Sequence, residues 1–142
     1  MKIFRHCIAF ASSCLLFMSC ADGECNVVPN IRVHTSFSQA NAQQAFVPNG
    51  WAYLAGGAAG LIVHNISTSQ AGQSYKFVAY DRYSPVNPEQ KNQVIVTNAY
   101  LIEDPASGAQ WLLKDGSPAK IASCPLKPYI VGAFGNSYIV QN

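Results

Sequence analysis

The sequence predicts an all-β domain, an antiparallel sandwich or small barrel of short strands. Two observations carry that prediction: short runs rich in β-branched and aromatic residues recur along the chain, and Gly or Pro punctuates them at close intervals. A third is negative, since the long polar connection at 38–49 has too weak a periodicity for a helix. With 142 residues, 49% of them apolar and 11% charged, the chain suits one ordinary globular domain plus a short extra segment.

The extra segment is N-terminal. Lys2 and Arg5 make a basic start, residues 8–18 form an apolar run, and the small Ser19 precedes Cys20, which is the pattern of a secretory signal. The run is shorter than the about 20 residues that a bilayer span requires. Leu16-Phe-Met-Ser-Cys20 resembles a bacterial lipobox, with Phe17 where Leu is usual, so Cys20 is the expected lipidation site. Ser19-Cys-Ala21 also suits an ordinary signal peptidase, and plain secretion or a retained anchor are the alternatives. The expected organisation is a signal at 1–19, a lipidated tether at 20–30 and a β domain at 31–142.

Loss of the signal changes the charge and the cysteine count. The chain has nine Lys plus Arg against seven Asp plus Glu, and without Lys2 and Arg5 the two sides are equal. No basic patch remains to attract nucleic acid. Cys7 and Cys14 leave with the signal, so beyond Cys20 only Cys25 and Cys124 are left. In an oxidising compartment these two either bridge the N-terminal arm to a loop near the C-terminus or stay as free thiols.

The strands follow in order. Ile31-Arg-Val-His-Thr-Ser-Phe37 alternates with period two, as a half-buried strand does. Trp51-Ala-Tyr-Leu54 is strand-like and runs into Gly56-Gly-Ala-Ala-Gly60, a backbone turn. This is not a phosphate loop, because no helix pattern follows and no Lys-Ser/Thr closes it. Leu61-Ile-Val-His-Asn-Ile66 and Tyr75-Lys-Phe-Val-Ala-Tyr80 flank a polar turn and make a hairpin with a long loop. Further strands are expected at 93–97, 99–102, 110–114, 129–133 and 137–141.

The ordered series Gly60-Leu-Ile-Val63, Phe77-Val-Ala-Tyr-Asp-Arg-Tyr-Ser-Pro85, Gly108-Ala-Gln-Trp-Leu-Leu-Lys-Asp-Gly-Ser-Pro118, Pro125-Leu-Lys-Pro-Tyr-Ile-Val131 and Gly135-Asn-Ser-Tyr-Ile-Val140 resembles the Rieske iron-sulfur domain over residues 30–142. More narrowly, the chain is similar to Rieske-like lipoproteins of Bacteroidetes-type bacteria, which share a short lipidated N-terminus. The resemblance implies two loops at a cluster site. In that family one loop carries Cys-x-His and the other Cys-x-x-His, usually followed by Gly; thiolates bind one iron of a 2Fe-2S cluster and imidazoles the other. Carried onto this chain, the first pair becomes Ser84 and Val86, and the second becomes Asp104 and Ser107, with Gly108 kept. All four ligand positions have changed.

The replacements imply that no 2Fe-2S cofactor is bound. Val86 has no donor atom, the serines are poor ligands at neutral pH, and Asp104 is a hard oxygen donor where soft thiolate is required. Oxygen from Ser84, Asp104, Ser107 and Glu103 suits calcium or magnesium in type but is sparse in carboxylates, and acidic residues in such a loop read as solvated turn formers. Val86, Pro85, Pro105 and Trp111 are the expected fillers of the former cluster space. His34 and His64 lie on separate expected strands with no ligand or catalytic partner at a suitable spacing, and Tyr80, Tyr100, Trp111 and Tyr129 read as core packing. No nucleophile elbow is present, so an enzyme is not expected. The resulting expectation is a cluster-free, membrane-anchored lipoprotein on the periplasmic or outer-membrane face, acting as a structural or interaction component with an envelope protein partner. Electron transfer through a retained 2Fe-2S centre, and small-ligand or metal binding in the emptied pocket, are the alternatives.

Overall fold

The structure is a computed structural model that describes residues 25–68 and 74–142. The expected signal and Cys20 lie outside the described residues. Among the described residues ten strands follow in chain order: β1 (His34–Phe37), β2 (Trp51–Leu54), β3 (Leu61–Asn65), β4 (Phe77–Asp81), β5 (Ile95–Val96), β6 (Leu101–Glu103), β7 (Gln110–Leu112), β8 (Pro118–Lys120), β9 (Pro128–Phe134) and β10 (Ser137–Gln141). Single 3₁₀ turns occupy Gln43–Phe46 and Pro88–Gln90. The architecture is all-β, as expected, and every strand pairing is antiparallel.

Six strands form one sheet in the order β1-β10-β9-β4-β3-β2, and four form a second in the order β5-β6-β7-β8. The large sheet separates two cores. On one face Val33, Phe37, Ala45, Phe46, Leu61, Val63 and Val140 pack together, with the rings of Phe37 and Phe77 edge-on at 5.0 Å. On the other, Ile62 and Tyr80 meet Val94, Ile102, Trp111 and Leu113 of the small-sheet region, together with Leu126. β3 thus sends alternate side chains into two cores, which explains why it reads as a continuous apolar run rather than an alternation. Its hairpin to β4 matches the sequence reading, and β2 pairs with it across the glycine turn.

The differences are instructive. β8 was not expected: all three of its residues are exposed and one is Pro, so this edge strand has no apolar alternation to reveal it. The expected strand at 93–97 shortens to two residues plus an isolated bridge between Tyr83 and Gln93. Residues 25–30, read as part of a tether, lie against the domain. Val28 is buried, Lys127 Nζ donates to Pro29 O at 3.0 Å, and Cys25 is disulfide-bonded to Cys124 across 99 residues of sequence. Where the sequence left two options open for these cysteines, the structure contains the bridge.

Candidate functional site

The turn after β4 and the turn between β6 and β7 are the two loops singled out by the resemblance, and they touch. Ser84 Oγ donates to Asp104 Oδ2 at 2.8 Å, Ser107 Oγ donates to the same oxygen at 2.8 Å, and Asn92 Nδ2 reaches it at 3.3 Å. The Ala106 N–H donates to Asp104 Oδ1 at 2.9 Å. The serines also receive backbone donors: Val86 N–H to Ser84 Oγ at 3.2 Å and Ala109 N–H to Ser107 Oγ at 3.2 Å. Gly108, at a φ of 71°, permits the tight turn in which its N–H returns to Asp104 O at 2.8 Å.

Asp104 is therefore not the solvated turn former that its Pro-Gly setting suggested. It and Ser84 are both 0% exposed. Burial disfavours the charged form, but the hydrogen bonds from Ser107, Ser84, Ala106 and Asn92 outweigh it and hold the carboxyl below the ordinary aspartate range. Three of the four positions at which the resemblance places ligands, Ser84, Asp104 and Ser107, are joined in one network. Val86 is the exception: half-buried, it packs on the core around Trp111, and only its backbone enters the network.

Among the expected fillers, Pro85 and Trp111 are buried, while Pro105 is exposed and fills nothing. The Trp111 indole N–H donates to Cys124 O at 2.8 Å, which links the core beneath the loops to the disulfide. Ser84 and Asp104 close on each other and leave no room between them for a ligand. The donor set does not fit a 2Fe-2S cluster, since it offers neither thiolate nor imidazole. Glu103, the other oxygen donor considered, accepts instead from Gln110 Nε2 at 2.6 Å, and no group of three metal-ligating side chains occurs among the described residues.

A second buried carboxylate escaped the sequence reading. Asp81, at the end of β4 and 0% exposed, accepts from the N–H groups of Ala58 at 2.7 Å, Ala59 at 3.1 Å and Tyr83 at 2.9 Å, and from Tyr129 OH at 2.8 Å. The glycine-rich turn at 56–60 does bind an anion, but the anion is this chain's own. Gly57 has a φ of 64°, and a Cβ there would collide with the Asp81 carboxylate. Burial and the Asp81 contact push the Tyr129 phenol well above its ordinary range, so it stays a donor. The signal was present in the glycines; what the sequence lacked was the partner, 23 residues from Ala58.

The two histidines stand apart. His34 is exposed on the edge strand β1, whereas His64 is buried on β3, with β10, β9 and β4 between their strands. Tyr80, Trp111 and Tyr129 are buried as expected, but Tyr100 is 74% exposed and takes no part in core packing.

No protein-family model matches the chain, and no curated protein matches it. Among solved structures, it is similar to the crystal structure of a putative nitrite reductase NADPH (small subunit) oxidoreductase protein, at 15% identity and a TM-score of 0.44, over 76% of this chain and 99% of that one.

Proposed function

We propose that this chain is a cluster-free Rieske-type domain, exported to the bacterial envelope, anchored in a membrane through lipid on Cys20, and serving as a structural or interaction component rather than as an enzyme. The carrying observation is the bonding of Asp104 to Ser84 and Ser107. These are three of the positions at which the resemblance places cluster ligands, and here hydrogen bonds do the cross-linking that iron does in the family. A loop pair closed in this way has no need of a metal strut, which supports a domain that folds without iron. The partners that follow are a membrane, through the lipid, and an envelope protein. Ile130 and Phe134, 66% and 73% exposed on β9, favour an interaction role, since side chains four apart on a strand share one face.

The test is purification of the protein from its own membrane, with iron and acid-labile sulfide measured on the same sample and mass spectrometry of the N-terminal peptide. The expected outcome is a colourless protein with no stoichiometric iron and a diacylated Cys20. Stoichiometric iron with a reduced-state iron-sulfur signal would establish the electron-transfer alternative instead, and an unmodified N-terminus beyond Cys20 would remove the anchor.

A further inference from the structure

Away from both carboxylates, a cleft of about 370 Å³ opens where the large sheet meets the small one, lined by Asn49, His64, Ala99, Tyr100, Leu112 and Lys114. It shares Asn49 and Ala99 with an adjoining groove of about 690 Å³. Clefts of this size suit small organic molecules when a few polar groups converge on an apolar lining.

The polar groups are held in place before any ligand arrives. His64 is 3% exposed, and its Nδ1 lies 3.1 Å from Gly50 O. A carbonyl only accepts, so Nδ1 carries the hydrogen and the neutral ring keeps an acceptor lone pair on Nε2. Nε2 has no hydrogen-bond partner among the described residues, and it is not sealed from solvent. Desolvation lowers the His64 pKa, an effect that the Gly50 contact only partly offsets, so the ring is neutral near physiological pH.

The carbonyl that fixes this tautomer is itself fixed. Gly50 O also accepts from Asn65 N–H at 2.8 Å, Gly50 N–H donates to Val47 O at 2.9 Å, and Asn49 holds a φ of 57° in the turn between them. Position 50 must be Gly, because a Cβ would run into Gln44 O. On the opposite wall, Asn98 Oδ1 accepts from the N–H groups of Tyr100 at 2.8 Å and Leu101 at 3.0 Å, and Leu113 N–H donates to Tyr100 O at 2.8 Å. A well-bonded backbone thus presents a largely exposed aromatic side chain beside a buried acceptor. Lys114, with its side chain 70% exposed and its ammonium 4.0 Å from Asp115, supplies a cation with only a loose partner.

We propose that this cleft binds a small aromatic hydroxy acid, with its hydroxyl donating to His64 Nε2, its ring against Tyr100 and Leu112, and its carboxylate beside the Lys114 ammonium. A neutral imidazole acceptor selects a hydrogen-bond donor at one end, and the lysine selects an anion at the other. The site is independent of Ser84, Asp104 and Ser107, and so of the proposed function.

The test is a two-dimensional amide and imidazole NMR titration of the purified full chain with 4-hydroxybenzoate, alongside benzoate and 4-hydroxybenzyl alcohol, which lack the hydroxyl and the carboxylate respectively. Saturable shifts confined to Asn49, His64, Tyr100, Leu112 and their neighbours are expected, with each half-probe about 10-fold weaker, the worth of one hydrogen bond or ion contact. Lys114→Ala should weaken the acids without affecting the alcohol, and Leu112→Trp should abolish the shifts by filling the cleft. Because His64→Phe removes one of the two donors to Gly50 O and risks misfolding, these two variants decide the matter. An absence of shifts, equal affinity for the three probes, or shifts located elsewhere would overturn the proposal.

Discussion

Asp81 and Asp104 are both fully buried, and neither makes an ion pair among the described residues, yet they are held by different kinds of partner. Asp81 takes three backbone N–H groups and one phenol, from the glycine turn before β3, the start of the loop after β4, and β9. Asp104 takes one backbone N–H and three side-chain donors, all from the two facing loops. Backbone donors cannot be mutated away and belong to the frame of the large sheet. Two of the three side-chain donors, Ser84 and Ser107, stand at positions where the resemblance places ligands. The contrast separates an anion that the fold requires from one that closes a site.

The largest effect is expected at the first. Asp81→Ala leaves three backbone donors and a buried phenol without their acceptor, and should cost about 4 kcal/mol of global stability, read as a lowered urea midpoint with an unchanged slope. A loss below about 1 kcal/mol would mean that water replaces the carboxylate and that the glycine turn is not organised around it.

Asp104→Asn should cost less, about 2 kcal/mol, and act locally. Hydrogen exchange should quicken at Val86, Ala106 and Gly108 while β3 and β4 stay protected. The same variant tests the pH dependence. The folded-state pKa of Asp104 is below its unfolded value, so its contribution is fully present above about pH 4 and is lost as pH falls through the folded pKa. The acid limb of the stability curve should therefore flatten in Asp104→Asn relative to the parent.

The smallest expected effect distinguishes a network from two separate bonds. Ser84→Ala and Ser107→Ala should each cost about 1 kcal/mol, and the double variant should depart from their sum, because both hydroxyls donate to Asp104 Oδ2. Strict additivity would show that the loops are held independently and would remove the shared oxygen as their link.

Much of this was legible in the chain before folding. The runs that became β2, β3, β4 and β10 carry their own period and turn signals, so their existence needed no tertiary information. β8 and the shortened β5 carried none, because an exposed edge strand and a two-residue pairing are defined by their neighbours. At the site, residue types showed that Ser84, Val86, Asp104 and Ser107 lack the donors a cluster needs. They did not show that three of them bond to one another, since residues 20 apart in sequence acquire a distance only when their loops fold together. Tyr100 misled for the same reason: an aromatic beside a strand pattern reads as core, and only the turn at Asn98 directs it outward.

By itself, then, the sequence determined the all-β class, the β3–β4 hairpin and the chemistry absent from the two loops, because periodicity, turn residues and donor types are local properties. The tertiary structure alone decided that Asp104 is buried and bonded rather than solvated, that the glycine turn holds Asp81, and that Cys25 meets Cys124. Each of these depends on the position of a partner distant in the chain, and for a carboxylate or a thiol the partner, not the residue, sets the role.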